Sequence, residues 1–151
     1  ELAMASPLQQ TADIITRAAG WQQASPDDEG IFHFALEGGL DFTLCSPENK
    51  TGILLASLGG APENDDELRR LAALAAGCLK KRRSVFSMGE HGMELHRSFL
   101  LSEASADVLV PEVRDFLNDL AWWKRQISGA GTSPAKNASP FSIPFGNWFP
   151  G

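Results

Sequence analysis

Ile31-Phe32-His33-Phe34-Ala35-Leu36-Glu37-Gly38-Gly39-Leu40-Asp41-Phe42-Thr43-Leu44-Cys45 alternates bulky apolar side chains with others on both sides of a Glu-Gly-Gly step. A period of two is the signature of a strand with one covered face, so the stretch reads as two strands, 31–36 and 40–45. The register can be chosen from the pattern. A two-residue turn at Gly38-Gly39 would set Phe34 opposite Thr43 and Leu36 opposite Asp41. A three-residue loop, Glu37-Gly38-Gly39, pairs Leu36 with Leu40, Phe34 with Phe42 and Phe32 with Leu44, placing six apolar side chains on one face. A one-residue slip would turn that face to water, so the three-residue loop is expected, with Gly39 in the left-handed position.

Downstream, the Ser46-Pro47-Glu48-Asn49 turn leads to a third strand, Gly52 to Leu58. Its run Ile53-Leu54-Leu55-Ala56 predicts cover on both faces. A second hairpin, Val85 to Glu90 and Met93 to Leu101, bends at His91-Gly92. Between them lies a helix capped by Asn64 with Glu67 at its third position, supported by the i,i+4 pairs Asp65–Arg69 and Asp66–Arg70. Leu68, Leu71, Ala72, Ala75, Cys78 and Leu79 recur along it as one apolar seam. A helix between two hairpins needs a single apolar face for its own sheet. The small residues Ala72, Ala75 and Gly77 would also let a second backbone approach, as at a dimer seam. The basic run Lys80-Lys81-Arg82-Arg83 stands at this helix's end and answers its dipole.

Upstream, Ser6-Pro7-Leu8-Gln9 starts a first helix: serine caps, proline takes the first helical position, and Gln9 can close a capping box. Leu8, Ala12, Ile15 and Ala19 share its face, and Gly20 stops it. The last helix is expected from Pro111, with a stripe of Val113, Phe116, Leu117, Leu120, Trp123 and Ile127. Adjacent Trp122 and Trp123 cannot both face the core, so one belongs at an edge or an interface, or is simply half exposed. The fold class is α+β, a twisted antiparallel sheet with helices in the order α-βββ-α-ββ-α. The chain divides into residues 1–4, a domain over 5–129, and a tail over 130–151. Glu1-Leu2-Ala3 reads as a vector remnant ahead of a native start at Met4. The tail is rich in Gly, Ser, Ala and Pro and then in aromatic residues, a composition that builds no core alone.

At 151 residues the chain suits one domain burying about 70% of its unfolded surface. A net charge of −6 argues against nucleic-acid binding. Cys45 and Cys78 lack paired spacing and read as small buried hydrophobes, which fits a reducing compartment. No stretch approaches the ~20 apolar residues of a membrane span, nor is there a signal peptide, so a cytoplasmic location is expected.

Catalytic chemistry is hard to place. His33 and His96 fall on strands and His91 in a turn, without a second ligand at metal spacing. There is no glycine-rich phosphate loop before a helix. The expectation is therefore no enzyme, no metal and no cofactor. A small α+β enzyme or ligand-binding domain built on the hairpin histidines is the competing possibility.

The element order, acidic charge and small size resemble the dimeric class I chaperones of type III secretion. The resemblance runs from the helix at Leu8 through Leu40-Asp41-Phe42-Thr43-Leu44 to the helix ending in Ala121-Trp122-Trp123. It implies a homodimer around the second helix and fourth strand, with Leu68, Leu71, Ala72, Ala75, Cys78, Leu79 and Phe86 at the interface. It also implies a secreted effector whose extended N-terminal segment wraps the dimer and docks apolar side chains. Such a partner needs sheet edges and apolar pockets in place of catalytic groups, and two copies of each site favour a long peptide. Leu8 and Ile15 on the first helix, and Ile31, His33 and Cys45 opposite the core, are the candidate effector-binding positions. A regulatory protein of the same fold, sequestering a protein partner of the secretion system, would look the same. The tail departs from the family pattern. Its Phe141, Ile143, Phe145, Trp148 and Phe149, held extended by prolines, are expected to dock on an apolar groove of the dimer or a neighbour, imitating cargo, unless the tail is an unstructured end.

Overall fold

Five strands and three helices follow the expected order in a computed structural model, which describes residues 6–79 and 81–128. Helix α1 spans Pro7–Ala19, β1 Phe32–Phe34, β2 Phe42–Cys45, β3 Thr51–Gly59, α2 Asp65–Cys78, β4 Val85–Gly89, β5 Gly92–Leu100 and α3 Ala106–Ser128. The strands form one antiparallel sheet in the order β1-β2-β3-β5-β4.

The hydrophobic alternation sets the register of the first hairpin. Phe32 pairs with Leu44 and Phe34 with Phe42, across a 3-10 turn at Glu37–Gly39. Both Gly38 and Gly39 take positive φ, 79° and 76°, which only glycine adopts cheaply. The inward row Phe32, Phe34, Phe42, Leu44, Leu54, Ala56 and Leu95 is buried with the apolar faces of α1 and α3. Phe34 and Phe42 stack at 4.9 Å, and Phe42 meets Phe116 of α3 edge-on at 5.8 Å. Full burial of one such side chain contributes about 1.5–3 kcal/mol.

The outer face differs from expectation. In β3 every second residue is buried, while Ile53 and Leu55 remain half-buried. Both helices that cover the sheet join the core on its inner face, so the apolar run does not carry cover on both sides. His33, Thr43, Leu55, His96 and Val85 form one cross-strand row over this open face.

Ser6 caps α1 by accepting from the Gln9 amide, and Gly20 closes it in the left-handed region, with the Trp21 amide bonding the Thr16 carbonyl. The Gln9 side chain turns to Asp13 and the Ala24 carbonyl instead of completing a capping box. Asn64 caps α2, but the ion pairs run at i,i+3, Asp66–Arg69 and Glu67–Arg70, not at the expected spacing. Helix α2 ends at Cys78, before the basic run. Arg82 and Arg83 instead reach across to Asp119 and Glu112 of α3. Helix α3 starts at Ala106, five residues ahead of Pro111, because the earlier start buries Leu109 completely while Ser105 accepts from the Val108 and Leu109 amides. Trp123 is buried and Trp122 half-buried, under the Arg82 guanidinium at 4.5 Å.

Candidate partner-binding groove

The start of α1 meets the ends of β1 and β2 around a groove of about 480 Å³. Leu8, Ile31, Phe32 and Cys45 supply its apolar floor, and Pro26 and Pro47 stand on its rim. Its form follows from one side chain. Asp27 Oδ1 accepts from the amides of Glu29 and Ile31, at 2.8 and 3.0 Å, while the Asp27 amide donates to the Ile31 carbonyl. This folds 27–31 into a tight turn and fixes Ile31 at the groove. Asp27 Oδ2 lies 2.8 Å from His33 Nε2, tying the turn to β1. The Ile31 amide, then His33 and the Glu29 amide, hold the Asp27 carboxyl below its ordinary range.

Inside the groove, burial pushes the Cys45 thiol up, which disfavours the nucleophilic thiolate. Ser46 Oγ is buried there with no hydrogen-bond partner among the described residues. Among the described residues the neighbouring strand β1 is a sheet edge, pairing only with β2. An apolar floor, an idle hydroxyl and an open edge are the elements needed to hold an extended peptide. A second depression, about 400 Å³, lies on the outer face around His33, Thr43 and Leu55.

The candidate positions separate on this frame. Ile31 and Cys45 are half-buried in the groove and His33 is exposed beside it. Leu8 is 8% exposed, a core residue whose edge lines the groove. Ile15 is 1% exposed, so as an effector contact it is corrected: the helix turns that face to the core, leaving it no surface to offer. The α2 seam divides similarly. Leu71 is fully buried, and Ala75 and Cys78 pack against the core, whereas Leu68, Ala72 and Leu79 face outward, Leu79 at 73% exposure. Phe86 sits on the inner face, stacked on Trp123 at 4.3 Å. Leu71 is thus corrected to a position in the chain's own packing, and Phe86 is half-buried against the core. Phe141, Ile143, Phe145, Trp148 and Phe149 lie outside the described residues. Pro26, Asp27 and Pro47 were not among the expected positions, although Ser25-Pro26-Asp27 and Ser46-Pro47 carry the turn chemistry that builds the rim.

Among the described residues, no cluster of three His, Cys, Asp or Glu side chains could hold a metal ion. No helix there is long and apolar enough to cross a membrane.

No protein-family model matches the chain, and no curated protein matches it in sequence. Solved structures do. A chain of the HopA1–SchA chaperone–effector complex aligns over 82% of this chain and 99% of its own, with a TM-score of 0.64 at 19% identity. A chain of the ExsC–ExsE complex aligns over 82% and 96%, with a TM-score of 0.64 at 17% identity. The structure of the Yersinia pestis type III secretion chaperone SycH with a stable fragment of YscM2 aligns over 77% and 98%, with a TM-score of 0.59 at 8% identity. The chain has the fold of the type III secretion chaperones.

Proposed function

We propose that the protein is a type III secretion chaperone that binds an extended N-terminal segment of a cognate effector and keeps it competent for secretion. The carrying observation is the apolar groove between α1, β1 and β2, set beside a sheet edge unpaired among the described residues, on a secretion-chaperone fold. Holding a chain unfolded calls for such a surface and needs neither ATP nor a metal. The protein acts in the cytoplasm as a homodimer, a reading supported by the outward Leu68, Ala72 and Leu79 of α2 and the exposed Val85 on edge strand β4. It has no catalytic role in this reading.

Ile31→Asp tests the groove, because Ile31 is half-buried on its floor and outside the core. The effector is sought by co-purification with the N-terminal segments of secreted proteins encoded beside this chain. The variant is expected to weaken binding by roughly 1–3 kcal/mol with the circular dichroism spectrum unchanged. Undiminished binding by a folded Ile31→Asp variant would remove the groove from the reading. A regulatory partner of the secretion system would suit the same groove. Limited proteolysis of the bound protein separates the two, since an escorted segment is cut and a folded regulator resists.

A further inference from the structure

We propose that the chain's own C-terminal segment, residues 141–149, seats in the groove at Ile31 and Cys45 and competes there with cargo. This rests on the groove being the cargo site. Phe141, Ile143, Phe145, Trp148 and Phe149 are bulky apolar groups spaced by Pro144 and flanked by Pro140 and Pro150. Proline restricts the free segment to extended forms and lowers the entropy lost when it docks. The groove offers the complementary surface: an apolar floor, proline on the rim, and the unpartnered Ser46 Oγ for a backbone group.

Charge agrees. Residues 129–151 contain no Asp or Glu, and their one charged side chain is Lys136. The groove is lined by Glu29, the last acid of the turn Asp27-Asp28-Glu29, within a chain of net charge −6. Reach agrees as well. The Leu101 amide bonds the Lys50 carbonyl, next to Asn49 on the groove wall, and α3 begins shortly after at Ala106. Helix α3, which ends at Ser128, is 23 residues or about 34 Å long. The 12 residues 129–140 are mostly Gly, Ala, Ser and Pro and span up to about 40 Å when extended, longer than α3 itself.

Cys45 makes the test independent of any cargo. With an effective concentration on the order of 1 mM from a short tether, and a Kd on the order of 100 μM, about 10% of grooves stand open. Maleimide should then modify Cys45 about tenfold more slowly in the full chain than in a Phe141→Ser, Phe145→Ser, Trp148→Ser, Phe149→Ser variant. Cys78 on α2 serves as the internal reference, its rate the same in both. A synthetic peptide of residues 138–151, added at millimolar concentration to the variant, should restore protection. A Cys45 rate indifferent to the substitutions, a rise shared equally by Cys78, or a peptide that protects nothing overturns the proposal. Absence of any effector would leave Cys45 protection as it is and would count against the chaperone reading alone.

Discussion

Arg97 occupies an inward position of β5, between Leu95 and Phe99, where alternation calls for an apolar side chain. It is 4% exposed, with its Nε 2.5 Å from Glu112 Oε1 and its guanidinium 3.6 Å from Asp119 and 3.7 Å from Asp115. Arg82 meets the same Asp119 at 2.9 Å and Arg83 lies 3.7 Å from Glu112, so three cations face the carboxylates of Glu112, Asp115 and Asp119 on α3. Breaking a buried pair costs more than the pair contributes, because the remaining charge loses its partner. Arg97→Met is therefore expected to destabilise the protein by about 3–5 kcal/mol in urea unfolding. A loss below about 1 kcal/mol would mean that water already compensates the carboxylates. The sequence shows Arg97 as an irregularity in a strand; its partners lie on a different element, at no fixed spacing, and so were not legible. Ile15 taught the same lesson in reverse: periodicity marks it apolar without telling which neighbour covers it.

The elements themselves were far more readable than their ends. Six apolar side chains on one face admit one register for the first hairpin, and the loop follows from it. The expected start of α3 at Pro111 rests on a local signal, whereas the burial of Leu109 that extends the helix back to Ala106 is tertiary. The β3–β5 ladder carries a constraint of its own. Gly52 is paired with Phe99, and a Cβ on Gly52 would lie 2.5 Å from Phe99 Cζ. A rigid ring cannot give way by bending, so Gly52→Ala should cost about 1–3 kcal/mol through overpacking. Phe99→Leu in the same background should recover part of the loss in thermal unfolding. Equal stability of Gly52→Ala and wild type would show that the ring has room to swing aside.

At the scale of the whole molecule, α2 is the thinly anchored element, with Leu71 alone fully buried among its described residues. Leu68, Ala72 and Leu79 face outward on it, and Val85 is exposed on β4. Ala72 is exposed in the single chain, so Ala72→Glu spares the core while placing an uncompensated carboxylate in the proposed dimer seam. Sedimentation should report a monomer for Ala72→Glu and a dimer for wild type, whose unfolding midpoint should also rise with protein concentration. A dimeric Ala72→Glu would take α2 out of the seam.

The placement of the cover has a consequence in time. Leu109, Val113, Phe116, Leu117, Leu120 and Trp123, all essentially inaccessible, belong to α3, the last element in the described chain. The aromatic row of β1 and β2 that they shield is translated some ninety residues earlier. At about 5–20 residues per second, roughly 4–18 s separate the emergence of Phe34 from that of Trp123. Through that interval the nascent sheet carries a sticky surface with no lid, so a protein whose proposed office is to shelter other chains is itself, during synthesis, a client for the ribosome's own attendants.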